Sequence, residues 1–549
     1  MKKWISLFLA VLVIFTACLP AFAATDVGGF AYPTVYIRGR VAYLYNHVGT
    51  EQESELYDIY DNKVFSPEVP DIKAYAIEQA KVLLPKFAKA LLTQNYEPWA
   101  SEFSCILAPI YRDFVLDQNG NPRNGSGAKT NWDALTDKAD ANGTYPIRNY
   151  DDLDELFYDF LWDWRCSPLD VADSLRAFID RVLAVTGKKK VNLVSRCEGS
   201  CVAMAYLYKY GNDNKIANNV LLGSSANGVG YASGLFSGKF RLDADALNRY
   251  IGRNFATGSD KSFGDDLVAD EVIRTYLRES LCLLAKSHSM DLLEKLLLRL
   301  INKVGPMVYP GLLMSSYGTC PGYWAMVRDE DYEDAKALAG LNDNPEWANF
   351  VKKIDEYHGQ VQKRAGKILK TQQEKGVPSA VLVKYGAETM PIVTAANEIS
   401  DGTTLVKDAS FGAVTAKIDH PFDDAYVAAA VKAGKGDLIS PDRMINASTC
   451  ALPQSTWFIK YLSHDNWGSV LVDIFGEFIR SDGKLTVGQK GFERFEVFQP
   501  KTGTAVKMTE ENANSQSDYY AKDLFGAFRR WLSALQALLK SLPKILFKR

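Results

Sequence analysis

The residues with the clearest chemical potential are Ser195-Arg196-Cys197-Glu198-Gly199, inside VNLVSRCEGSCVAMAYLYKYG at 191–211. A buried apolar strand is expected to run into them, and a helix to leave. Small-x-nucleophile-x-small at such a junction is the pattern of a nucleophile elbow. Its reactive side chain stands on a tight, strained turn, and the residues two before and two after must be small so that strand and helix can approach. The backbone N–H of Glu198 would then help bind an oxyanion, and the helix N-terminus would favour a thiolate at Cys197. The string is short, and a buried structural cysteine in an ordinary strand–helix turn satisfies it equally. Ser200 is a rival hydroxyl, one turn into the helix and expected to point away from the elbow. Cys201 follows Cys197 by one turn, and a disulfide between them would be uncommon within a helix. The five histidines are His47, His288, His358, His420 and His464. None forms an HExxH or other zinc motif, so no metal and no organic cofactor is expected.

The surrounding pattern must position such a nucleophile. Residues 32–40 (YPTVYIRGR) read as a buried strand ending at a glycine turn. Residues 72–94 carry a helical period, with Ala76, Ile77, Ala80, Leu83, Leu84 and Phe87 on one side. Residues 119–147 are rich in Asn, Gly, Asp and Lys and read as a loop or insertion. Residues 151–186 read as a second helical stretch ending at Gly187. After the strand at 191–194 and the helix through Tyr210, Asn219–Gly223 is another strand candidate. Residues 240–370 read as helical and look like an inserted cap, and residues 378–386 (PSAVLVKYG) return to a sheet. This alternation predicts an α/β fold with a mostly parallel sheet covered on both faces.

The 549 residues allow about three domains, or one large α/β domain with insertions. Apolar residues make up 47% and charged residues 23%, enough for a sizeable core and too apolar for general disorder. Lys plus Arg is 63 against 66 Asp plus Glu, a net charge of −3, which argues against nucleic acid as the main partner.

The ends differ from the body. Lys2 and Lys3, the apolar run Trp4–Phe15, and Ala21-Phe22-Ala23 read as a signal peptide over residues 1–24, so export or cell-surface display is expected. A permanent anchor is the alternative, against which the run is short. Cys18 raises a lipoprotein alternative, for which Phe15 is a poor residue three positions before it. Loss of Cys18 with the leader leaves an odd number of the eight cysteines, hence at least one unpaired thiol. Over residues 521–549, Leu524, Phe528, Trp531, Leu532, Leu535, Leu539 and Leu542 fall on one helical stripe, and Lys522, Arg529, Arg530, Lys540, Lys544, Lys548 and Arg549 occupy much of the rest. Such a basic amphipathic helix either lies in a membrane interface or packs on the domain. The polar stretch at 509–520 before it reads as a linker.

Several segments, in order, make the chain resemble the lecithin:cholesterol acyltransferase family, lipase-like enzymes of the α/β-hydrolase fold. Leu161-Trp162-Asp163-Trp164-Arg165 resembles the family's Tyr-Asp-Trp-Arg signature, with Trp162 in place of Tyr. VNLVSRCEGS is similar to its nucleophile segment, with Cys197 in place of Ser, Arg196 of His and Ser195 of Gly. NVLLGSS from Asn219, MSSYGTCPGYWAMV from Met314 and GVPSAVLVKYG from Gly376 stand where the family has its next strand, its lid stretch and its late core strand. SDGTTLVKDAS from Ser400 resembles the motif that carries the catalytic acid. The likeness covers roughly residues 30–475. It implies Cys197 as nucleophile and Asp401 as the acid that orients a histidine later in the chain. For Asp401 a plain Asp-Gly turn is the alternative. His420 and His464 follow Asp401, and His464, in a loop after the apolar run Thr456–Ile459, is favoured.

A cysteine elbow also resembles that of the dienelactone hydrolases, and a thiol paired with His stays a competent nucleophile. Where the family has a Gly-led oxyanion loop, this chain has Arg38-Gly39-Arg40. Backbone N–H groups around Arg40 would serve. The two arginines would either bind an anionic head group or stand solvated at the surface.

The expected organisation is a hydrolase core over 25–239 and 371–508, with the cap at 240–370. The expected activity is acyl-ester hydrolysis or acyl transfer through a Cys-His-Asp triad on a lipid or other acyl ester, with peripheral membrane contact through the tail. The alternative is a non-catalytic hydrolase scaffold that binds lipid or cell-surface ligands.

Overall fold

The computed structural model describes residues 29–546, except 42, 60–62, 131, 133–134, 136–146, 151–154, 242, 248, 251–270, 288, 343, 467–468 and 515–523. The expected leader and much of the 119–147 segment therefore lie outside the described residues.

A nine-stranded sheet forms the centre. Its strands are β1 (Thr34–Ile37), β2 (Ile147–Tyr150), β3 (Glu155–Phe160), β4 (Val191–Arg196), β5 (Ile216–Leu222), β6 (Ser379–Tyr385), β7 (Thr456–Lys460), β8 (Phe495–Gln499) and β9 (Thr504–Lys507). The order is β9-β8-β7-β6-β5-β4-β1-β3-β2. All neighbours from β3 to β8 pair in parallel, and antiparallel strands close both edges.

The central strands are buried on both faces, which explains their continuous apolar runs. Val35, Leu193, Leu221, Val381 and Phe458 face one core, against the helices α2 (Pro168–Thr186) and α3 (Gly199–Tyr210). Tyr36, Val194, Val220, Leu382 and Trp457 face the other, against the helix over 469–480. Period-two alternation divides them between the layers. This α/β architecture is the one expected. One expectation needs correction. Residues 151–186 are not one helical stretch: Glu155–Phe160 is the strand β3, and helix begins only at Pro168. Leu156, Tyr158 and Phe160 carry the apolar spacing of a strand running beside β1. The helix α1 (Ile72–Thr93) matches the helical period expected over 72–94. Leu83 is enclosed while Ile77 is 57% and Leu84 65% exposed.

Among the described residues, the chain between β5 and β6 is helical apart from one bridge between Phe240 and Val393. It includes α4 (Glu271–Lys286) and α5 (Ser289–Met314). The C-terminal helix α6 (Leu524–Leu546) packs on α4: Ala527 and Ala534 are buried, and the Trp531 indole N–H donates to the Ser280 hydroxyl at 3.1 Å. Phe525 and Leu539 on the same helix remain 66% and 56% exposed. No helix of the described residues is long and apolar enough to cross a membrane.

Candidate active site

The expected nucleophile stands at the carboxyl end of β4. Cys197 has φ +52°, a left-handed backbone uncommon for any residue other than glycine. Such strain costs of order 1–3 kcal/mol and persists where the surroundings enforce it. The enforcing bonds are visible: the Cys197 N–H donates to Leu222 O at 3.1 Å, and its carbonyl accepts from Ser200 and Ser225 N–H groups at 3.0 and 3.3 Å. The need for a small residue two positions on is literal. A Cβ on Gly199 would lie 2.4 Å from both the Ile37 and Arg38 carbonyl oxygens. A Cβ on Gly39 would lie 3.0 Å from Cys197 Cβ. Ser200 is occupied elsewhere: its hydroxyl donates to the Cys197 carbonyl at 2.5 Å and accepts from Ser224 Oγ and Ser225 N, both at 2.9 Å. Cys201 is buried, and the cysteines among the described residues are free thiols.

Asp401 and His464 come to the same place from the next strands of the sheet. The loop after β6 returns to pair with itself, Gly386 and Ala387 N–H groups both donating to Ser400 O. Asp401 follows, fully enclosed, and accepts from the N–H groups of Thr403 and Thr404 at 3.0 and 2.7 Å and from the Thr404 hydroxyl at 2.9 Å. His464 lies just beyond β7. Its Nδ1 is 2.8 Å from Asp401 Oδ2, and its own N–H donates to the Asp401 carbonyl at 2.8 Å. Its Nε2 is buried with no hydrogen bond of good geometry inside the protein. Gly223, after β5, keeps this space open: a Cβ there would meet Asp401 Oδ2 at 3.4 Å and His464 Cε1 at 3.5 Å. His420 is exposed on a tight turn at Lys417 and takes no part. His358 is a core residue stacked on Tyr332 at 3.6 Å.

The electrostatics fit the geometry. Burial alone would raise the Cys197 thiol, but the facing His464, the Ser225 hydroxyl at 3.6 Å and Arg40 outweigh it and lower the thiol to about 6. Burial would depress His464, yet Asp401 and Cys197 raise it to about 10. Asp401, despite burial, is held at about 2 by His464, Lys384 and the Thr404 N–H. Each shift favours the charged form, so the surroundings of the pair stabilise thiolate and imidazolium together.

No family model matches the chain, and no curated protein matches it.

The remaining expected residues flank the thiol. Arg38 and Arg40 follow β1. Arg38 pairs with buried Asp159 at 2.6 Å. Arg40 donates from Nε to Glu198 Oε2 at 2.9 Å, and its guanidinium packs on the rings of Trp164 and Tyr323, 4.8 and 4.7 Å from their centroids; the two rings meet each other edge-on at 5.8 Å. The Trp162–Arg165 segment builds this wall. Trp162 N–H donates to the Arg38 carbonyl at 3.2 Å, and buried Arg165 is locked by Asp163, Ser126 and the Phe114 carbonyl. Neither arginine is freely solvated.

Three contributors went unread in the sequence. Lys384, on β6, is buried and donates to the carbonyls of Ser463 and His464, tying down the histidine loop. A lysine inside VLVKYG, an otherwise apolar central strand, was the available signal. Ser225 and Gly223 follow a strand that was recognised, but nothing in their types announced a role.

Proposed function

We propose that this chain is an α/β hydrolase that forms a covalent acyl-enzyme on Cys197. The observation that carries the reading is the convergence of three side chains at the carboxyl ends of β4, β6 and β7, with His464 Nδ1 2.8 Å from Asp401 and the nucleophile on a strained turn. The place fits a general rule for open α/β sheets: ligands bind beyond the strand ends where the order switches direction, here between β1 and β4.

In this reading the Cys197 thiolate attacks an ester or thioester carbonyl. The oxyanion is received by N–H groups of Glu198 and the loop at Arg40. His464, already protonated, gives its proton to the departing alkoxide or thiolate. It then takes a proton from the water or alcohol that attacks the acyl-enzyme, and the thiolate leaves. Asp401 fixes the imidazole tautomer throughout. A low-pKa thiolate is a better leaving group than an alkoxide, so prompt protonation by His464 decides whether the first intermediate goes forward. The likeness to the lecithin:cholesterol acyltransferase family supports acyl esters as substrates, and the signal-peptide pattern supports an exported or surface enzyme. Exposed Phe525, Phe528 and Leu539 beside basic Arg529 and Lys540 on α6 support contact with an anionic lipid surface.

The test is turnover of p-nitrophenyl esters of short and long acyl chains by the mature protein, beside Cys197→Ala and Cys197→Ser. Loss in the alanine variant, part retention in the serine variant and an acyl adduct on Cys197 by mass spectrometry are expected. No turnover together with slow alkylation of Cys197 would favour a binding protein on a hydrolase scaffold.

A further inference from the structure

Arg40 is held as few surface arginines are. Its Nε is bound to Glu198, which is wholly enclosed, and the neighbouring Trp164 and Tyr323 rings pack against the guanidinium. Only the Nε hydrogen bond engages it among the described residues, which leaves Nη1 and Nη2 unpartnered. The side chain keeps 20% exposure, and the half-buried Cys197, Tyr231 and Tyr323 surround it. Gly39, the residue before it, touches the Cys197 side chain closely enough that a Cβ would sit 3.6 Å from Sγ. A rigid fork with two free donor groups beside a nucleophile matches a carboxylate or phosphate oxygen pair.

We propose that Arg40 is a specificity-determining residue that holds a negatively charged group, carboxylate or phosphate, on the acyl part of the substrate, a short chain from the attacked carbonyl. The inference rests on the acyl-enzyme reading for its catalytic meaning, while the anion site itself stands on the Arg40 geometry. Glu198 does not cancel the site. Burial pushes its carboxyl up to about 8 against the pull of Arg40, so near neutrality it is largely protonated and the guanidinium charge remains for a ligand. Its Oε1 has no partner, as expected of a group that supports Arg40 from one side only. Tyr231 and Tyr323 are both near enough to Arg40 to feel its charge. This site favours charged short-chain acyl groups over plain fatty ones.

The test uses the alkylating pair iodoacetate and iodoacetamide on the full mature protein, with modification at Cys197 and at exposed Cys105 read by peptide mass. In both reagents the thiolate displaces iodide and forms a thioether; only iodoacetate carries a carboxylate. Cys197 is expected to prefer iodoacetate over iodoacetamide at least tenfold more than Cys105 does. Arg40→Gln should cut that preference about tenfold or more, and Arg40→Lys should keep part of it. Glutarate and inorganic phosphate, added separately at millimolar concentration, should slow alkylation, and the better protector names the anion. Equal preferences at Cys197 and Cys105, or no protection by either anion, would overturn the site even if Arg40→Gln fails to fold. The catalytic meaning is read from kcat/KM for p-nitrophenyl hemiglutarate over p-nitrophenyl pentanoate, a ratio that divides out any common loss and should fall about tenfold in Arg40→Gln. Iodoacetate selectivity without turnover of either ester would uphold the anion site and remove the acyl-enzyme reading.

Discussion

Replacing His464 with alanine tests the core of the site through one thiol. In the intact protein Cys197 is lowered to about 6 because His464, first among the groups that oppose burial, stabilises the thiolate. Without the imidazole, burial pulls the thiol back to its usual value of 9.0 or above. At pH 6 the thiolate fraction then falls from about one half to about one in a thousand, roughly 500-fold. A more basic thiolate is also a stronger nucleophile. With a Brønsted coefficient of about 0.45, three units return a factor of roughly 20. The net expectation is alkylation by iodoacetamide about 25-fold slower at pH 6, with the midpoint of the rate profile moved from about pH 6 to above about pH 9. The assay follows Cys197 by peptide mass from pH 5 to 10, with exposed Cys105 as reference. An unmoved midpoint in His464→Ala would refute the coupling of thiol and imidazole, and with it the triad.

Other expectations follow from neighbouring contacts. Lys384→Met strips the cation from the Ser463 and His464 carbonyls, so urea denaturation should show a loss of about 1–3 kcal/mol and acyl transfer should fall about tenfold. Undiminished transfer would leave Lys384 a purely structural role. Gly199→Ala forces a Cβ to within 2.4 Å of two carbonyl oxygens and should cost about 1–3 kcal/mol with loss of fast Cys197 alkylation. Asp401, depressed from 3.8 to about 2, adds stability above about pH 4 that is lost as pH falls toward 2, worth about 2 kcal/mol. Asp401→Asn should remove that part of the acid limb in urea titrations at pH 5 and 3. Sedimentation with anionic vesicles should pull down the mature protein, and Phe525→Ser with Phe528→Ser should reduce it several-fold.

The elbow was legible in the sequence because its constraints are local. A strand, a one-residue turn and a helix must follow each other within a dozen residues, and small residues must flank the turn. β1, β5 and β6 were legible for a similar reason, since strands buried on both faces carry unbroken apolar runs. β3 was not, because Glu155 and Asp159 interrupt ELFYDF, and the apolar residues on either side fit a helical period as well. Asp159 is tolerated there only by its pairing with Arg38, a partner 121 residues away. Separations of 80 and 158 residues likewise hid the contact of Lys384 with His464 and that of Arg40 with Glu198. Arg38-Gly39-Arg40 reads as an exposed turn until Glu198, Trp164 and Tyr323 arrive from three other segments. His464 over His420 was readable from its place after an apolar strand, whereas the hydrogen bond to Asp401 needed the sheet.

The spread of the site along the chain has a consequence for how the protein is made. The ribosome releases the elbow long before it releases His464, which lies 268 residues beyond Arg196. Until β6 and β7 have docked, Cys197 has no imidazole to hold its charge and reacts as an ordinary thiol. In the acyl-enzyme reading, a stalled or clipped chain would thus carry Cys197 without its chemistry. Fast alkylation at Cys197 would then mark completed translation and a closed sheet, so the thiol would double as an internal proof of maturity.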